Sequence, residues 1–91
     1  MIAKRLVITG KVQRVWFRDW TVVTAQALGL TGWVRNRRDG SVEALLIGDP
    51  EAVTHMIHAC HEGPPHAEVS AVDVREAEVE ALSTFDRRPT A

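Results

Sequence analysis

Arg18 closes a stretch, Gly10-Lys11-Val12-Gln13-Arg14-Val15-Trp16-Phe17-Arg18, whose residue types suit an anion. Gly10 releases the chain from an apolar run, Arg5 to Thr9, and a helix begins near the arginine. The first amides of a helix have no intrahelical acceptor, so they attract anions, and a cation beside them strengthens the attraction. Such a junction favours a phosphate or a carboxylate. The structural alternative is an arginine that caps the turn and faces water. Asn36 stands just before Arg37-Arg38-Asp39-Gly40, where asparagine is favoured for local backbone hydrogen bonding alone. His55, His58, Cys60 and His61 crowd one segment and invite a metal reading. Cys60 belongs to an apolar stripe, however, and histidines at i, i+3 lack the further ligands a structural zinc takes, so no metal is assigned. Arg35, Arg37 and Arg38 beside Trp33 form a basic-aromatic patch of the kind that meets RNA. Asp39 and Glu43 interrupt it, and paired aromatics at the spacing of an RNA-recognition sheet are missing.

The elements that must position these groups follow from periodicity and punctuation. Arg5 to Thr9 reads as a buried strand ending at Gly10. From Arg18 to Leu28, the residues Trp20, Val23, Ala27 and Leu28 recur at helical spacing, and Gly29 supplies a stop. Leu30 to Asn36 and Ser41 to Ile47 are β-rich runs joined at Asp39-Gly40, a strong hairpin signal. Asp49 as N-cap, Pro50 at the first position and Glu51 in the first turn announce a second helix. Its apolar stripe is Val53, Met56, Ile57 and Cys60, and Gly63-Pro64-Pro65 breaks it. Val69 to Val74 is a further strand, with Val72 and Val74 on one face. Ala77 to Leu82 reads as a loop or one helical turn, and Ser83 to Arg87 as a last short strand. The order β-α-β-β-α-β plus a short fifth strand corresponds to an α+β, ferredoxin-like sandwich: a mainly antiparallel sheet with two helices on one face. That fold hosts many functions and proves none.

Composition bounds the reading. At 91 residues the chain allows one domain, 1–91, with 88–91 expected to be a frayed tail. Apolar and charged fractions of 45% and 25% are those of an ordinary soluble protein, and the net charge of −1 argues against a nucleic-acid binder. A single cysteine cannot form an internal disulfide, so a reducing cytoplasm is the expected compartment. No run has the length of a signal peptide's apolar core or of a membrane span. Nothing demands more than a monomer.

Taken with the loop, the hairpin segment Gly32-Trp33-Val34-Arg35-Asn36-Arg37-Arg38-Asp39-Gly40-Ser41-Val42-Glu43 resembles the acylphosphatase family. That family's phosphate loop runs Gly-x-Val-Gln-Gly-Val-x-Phe-Arg, matched by Gly10, Val12, Gln13, Val15, Phe17 and Arg18. Its hairpin runs Gly-Trp-Val-x-Asn-x-x-Asp-Gly-x-Val-Glu, matched by Gly32, Trp33, Val34, Asn36, Asp39, Gly40, Val42 and Glu43. The Gly63-Pro64-Pro65 break and Phe85 also look like the family, so the resemblance covers nearly the whole chain.

The resemblance implies hydrolysis of a small-molecule acyl phosphate to a carboxylate and inorganic phosphate, without cofactor, nucleic-acid or membrane partner. Carried over by position, Arg18 and Asn36 would be catalytic. Arg18 and the loop amides of Gln13, Arg14, Val15, Trp16 and Phe17 would bind the phosphoryl oxygens, and Asn36 would orient the attacking water. The chemistry agrees. A carboxylate leaves readily, so neither a strong general acid nor a metal is required, and positioning and charge stabilisation are most of what remains. A forked guanidinium suits the phosphoryl oxygens better than lysine, and a carboxamide accepts from water without changing protonation state.

Arg14 is the departure, because the family usually has glycine there. If that glycine supplies a positive φ, a side chain costs on the order of 1 kcal/mol or more. The loop then either keeps its shape, with Arg14 solvated or a second phosphate contact, or distorts and loses activity; the first is expected. Trp16 would narrow the mouth of the site or simply pack, Phe17 and Trp33 would be core or pocket wall, and Asp19 would favour the helix start electrostatically or else pair with an arginine and compete with the phosphate. Gly32 would permit close approach and Gly40 a positive φ. Three other readings compete with the enzyme: a non-catalytic phosphate-binding module, a domain of a larger carbamoyltransferase, and a nucleic-acid module. The length and ordinary termini favour a free-standing protein over the second.

Overall fold

A computed structural model describes residues 1–91. Its elements are β1 (Ile2–Lys11), α1 (Phe17–Ala27), β2 (Thr31–Asn36), β3 (Val42–Gly48), α2 (Pro50–Glu62), β4 (Glu68–Ala77) and β5 (Phe85–Arg87). They form one five-stranded sheet in the order β4-β1-β3-β2-β5. β1 pairs antiparallel with β3 and β4, and β2 antiparallel with β3, while β5 lies parallel to β2. Each helical crossover therefore spans an intervening strand, which is the split βαβ arrangement expected from the element order.

Strand alternation divides the sheet's side chains between two faces. On one face Leu6, Ile8, Val34, Val42, Ala44, Leu46 and Phe85 meet Phe17 and Ala25 of α1 and Val53, Met56 and Cys60 of α2. The other face carries no helix; Ala3, Trp33, Leu45 and Ile47 cluster there, with Ala77 and Leu82 packed against them. In β2 this puts Val34 and Asn36 toward the helices and Trp33 and Arg35 away from them. Glu43, 2% exposed, is held on the helix-free face between Arg5 Nη1 and Arg35 Nε, each 2.7 Å from one carboxylate oxygen.

Two glycines shape the frame around the loop. A β-bulge between Thr9 and Gly10 leaves Ser70 as the extra residue of β4, since Thr9 pairs with Ala71 and Gly10 with Val69. Gly10 has φ 118°, and a Cβ there would lie 2.2 Å from the Glu68 carbonyl oxygen. At Gly32, φ 137°, a Cβ would lie 1.8 Å from the Leu45 carbonyl oxygen, so the close approach expected of it is met.

The structure differs from the sequence expectations at several points. The face that α1 buries is Phe17, Thr21 and Ala25, and Val23 is 67% exposed, because the helix is rotated so that the i, i+4, i+8 row meets the sheet. Asp49 occupies the N-cap of α2 but its side chain makes no cap hydrogen bond; its carbonyl accepts from Val53 N–H at 3.0 Å, and its carboxylate bears on the helix through charge. β1 and β4 are longer than read, because pairing partners on the neighbouring strands extend them past their apolar runs. Residues 88–91, expected to fray, are tied down: Arg88 N–H donates to Val34 O at 2.8 Å, Ala91 N–H to Asn36 O at 3.0 Å, and Arg38 N–H to Ala91 O at 2.8 Å. They continue along the edge of β2 beyond β5, satisfying carbonyls that a free edge would expose. No helix is long and apolar enough to cross a membrane.

Candidate active site

The loop between β1 and α1 is wound in alternating hand. Arg14 and Trp16 have φ of 61° and 66°, and Val15 between them is not among the positive-φ residues. Such alternation turns successive N–H groups to one side and builds a concave anion nest. A side chain in the left-handed region costs roughly 1–2 kcal/mol, and this loop carries two. Packing holds it there. Val12, Val15 and Phe17 are buried beneath it, and Phe17 meets Trp20 edge-on with ring centroids 5.3 Å apart. Gln13 ties it sideways to the hairpin, its Nε2 donating to Arg37 O at 2.7 Å and Ser41 O at 2.9 Å. The backbone amides from Gln13 to Arg18 donate to no other protein group. Arg14 thus adopts the left-handed φ that a glycine would take without cost.

The β2–β3 hairpin delivers Asn36. Asp39 Oδ1 accepts from Ser41 N–H at 2.9 Å and from Ser41 Oγ at 2.6 Å, and Arg37 N–H donates to Ser41 O at 2.8 Å. The Ser41 hydroxyl first, and then its amide, hold the Asp39 carboxyl below the ordinary carboxylate value. A turn closed this way ends β2 at Asn36 and fixes the direction of its side chain.

These pieces meet in an open hollow of about 250 Å³. The loop contributes Val12, Arg14 and Trp16, the start of α1 contributes Phe17, Arg18 and Asp19, β2 contributes Asn36 and β5 contributes Arg87. Arg18 and Asn36 are half-buried, and neither side chain hydrogen-bonds or ion-pairs with another protein group. Trp16 is 75% exposed at the mouth. Asp19 does pair with an arginine, but with Arg87 rather than Arg18: Arg87 Nη1 lies 2.7 Å from Asp19 Oδ1. Both side chains are half-exposed, at 50% and 49%, and a pair so exposed is worth only about 0–1 kcal/mol. What the hollow can do chemically is bind a tetrahedral oxyanion on guanidinium and amide donors with a neutral carboxamide beside it.

Of the residues expected to form the site, Arg14, Trp16, Phe17, Arg18 and Asn36 line the hollow together. Gln13 and Val15 do not. The Gln13 carboxamide is spent on the hairpin and the Val15 side chain on the core, while their backbone N–H groups have no protein acceptor. Arg87 was not read from the sequence. Its only local signal was an arginine at the end of a short strand, and the parallel pairing of Val34 with Arg87 is what carries it to the site.

The other candidate chemistry is absorbed by packing. Cys60 is buried in the core, where burial pushes its thiol up to about 12, while His55, His58 and His61 are exposed. Trp33 is 7% exposed, and the guanidinium carbons of Arg35 and Arg88 lie over its ring at 4.6 and 5.0 Å. The ring is covered by its own arginines rather than open for base stacking.

A family model described as Acylphosphatase matches residues 4–86. The acylphosphatase of Acidiphilium cryptum is 50% identical over 90 residues, covering 99% of this chain and 99% of that one. Among solved structures, an acylphosphatase from Coxiella burnetii superposes with a TM-score of 0.93 at 38% identity, covering 96% of this chain and 92% of that chain. The acylphosphatase from Bacillus subtilis gives 0.94 at 34% identity, covering 97% and 99%.

Proposed function

This chain belongs to the acylphosphatase family and is an acylphosphatase, and on that premise we propose how its residues divide the work. The phosphoryl group of a small acyl phosphate sits on the amides of residues 13–18 and on the Arg18 guanidinium, with Arg14 as a second cationic contact. Asn36 accepts a hydrogen bond from the attacking water and holds it on the far side of phosphorus from the acyl oxygen. Water adds to phosphorus, and the bond from phosphorus to the acyl oxygen breaks with its electron pair staying on the carboxylate. Both water protons remain with the product phosphate until it equilibrates with solvent. A carboxylate needs no proton to leave, so the protein's task is positioning and stabilising charge on the equatorial oxygens. One observation carries the reading: an unpaired guanidinium, unpaired loop amides and an unpaired carboxamide share one hollow. The walls of the hollow span residues 12–87 of a single domain, and a monomer is proposed as the working unit.

Phosphate release from acetyl phosphate tests the assignment. Arg18→Gln is expected to lower kcat/KM by about 10³-fold and to weaken inhibition by inorganic phosphate. Asn36→Ala is expected to lower kcat by about 10²-fold while phosphate inhibition is retained, because it removes the water's partner and not the phosphate's. Near-parental turnover in both variants would refute the assignment.

A further inference from the structure

Arg87 and Asp19 are charged walls of the hollow that phosphoryl transfer, as described, leaves unused. Asp19 engages a single nitrogen of Arg87, Nη1, and the remaining donors of the guanidinium hydrogen-bond to nothing in the protein. Neither partner is locked by burial. Val34 pairs with Arg87 across parallel strands, so Arg87 shares the sheet face on which Asn36 stands two residues further along β2. The hollow, about 250 Å³ and open to solvent, has Arg87 in its wall together with Arg14 and Arg18.

Resting on the site assignment above, we infer that Arg87 is a specificity residue that takes a carboxylate carried by the acyl group. Acyl phosphates bearing a second anion are thereby preferred over neutral ones. With a neutral acyl group Arg87 stays on Asp19. With an anionic one the substrate carboxylate gains the free edge of the guanidinium, where a bidentate contact is stronger than the single bond to Asp19. Asp19 competes for the same guanidinium and so restrains the preference. A pair that only stapled β5 to α1 would make no such distinction between substrates.

The test compares 4-carboxybenzoyl phosphate with benzoyl phosphate, a rigid pair in which the added carboxylate cannot reach back to cleave its own anhydride. The quantity read is the ratio of their kcat/KM values. The parent is expected to favour the carboxylated substrate, and Arg87→Met to lower the ratio by about tenfold, the worth of a charge-assisted hydrogen bond. Asp19→Asn is expected to raise the ratio, opposite to Arg87→Met, although both variants break the same ion pair. A ratio that Arg87→Met leaves unchanged, or that both variants move in the same direction, overturns the inference while the site assignment stands. A parent protein that hydrolyses neither substrate refutes the site assignment and this inference with it.

Discussion

Arg14 shows how one residue can contradict a pattern and still serve it. Its left-handed φ of 61° is what a glycine would take without cost, and the structure keeps that conformation with a side chain in place. The compensation is local: buried Val12, Val15 and Phe17 over-determine the loop, and strain of this kind persists only where its surroundings fix it. Arg14→Gly would relieve about 1 kcal/mol in the fold but also loosen the unfolded chain by about 0.5–1 kcal/mol. Its expected effect on stability is therefore small, within about 0.5 kcal/mol by urea unfolding. Its effect on binding is not: with a cation gone from the hollow, inhibition by inorganic phosphate should weaken by about threefold or more. A variant that binds phosphate as tightly as the parent would remove Arg14 from the site.

At the scale of elements, Gln13 joins two pieces that are separate in sequence, the anion loop and the hairpin carrying Asn36. Gln13→Ala would leave the Arg37 carbonyl without that donor and free the loop to shift against the hairpin. We expect a loss of about 1–3 kcal/mol in stability and a fall in kcat larger than the change in KM, measured on purified variant with acetyl phosphate. The order of elements was legible because local signals mark it: Gly29 as a stop, Asp39-Gly40 as the hairpin turn, Pro50 as a helix start; Gly10, read as a stop, instead lies at a bulge within β1. Arg18 and Asn36 were legible because each lies in a motif of contiguous residues. Sheet neighbours were not. The run of residues 88–91 beside β2 and the arrival of Arg87 at the start of α1 both depend on β5 lying parallel to β2, a pairing between segments some fifty residues apart that no local pattern encodes. The tie made by the Gln13 carboxamide was not legible for a related reason, since the carbonyls it serves belong to the far hairpin.

The molecule as a whole hangs on a two-sided sheet whose larger core lies under the helices, and Cys60 sits in that core. Its thiol ionises near pH 12 in the fold against an ordinary 9.0, because burial opposes the thiolate. The folded value is raised, so this contribution to stability is complete below about pH 9 and declines as pH rises toward 12, by about 1.4 kcal/mol per unit. Cys60→Ala should be less stable at pH 8, from the lost packing, and should lack that alkaline decline; urea midpoints at pH 8 and 10 check it. The same whole-molecule view bears on the row of amides from Gln13 to Arg18. The hollow they open into draws on segments from Val12 to Arg87, so the unfolded chain has no equivalent of it. Any anion that settles there binds the native state alone and draws the folding equilibrium toward it by mass action. On the proposed assignment, substrate and product phosphate are folding ligands as well, and part of this protein's stability then belongs to the solution around it.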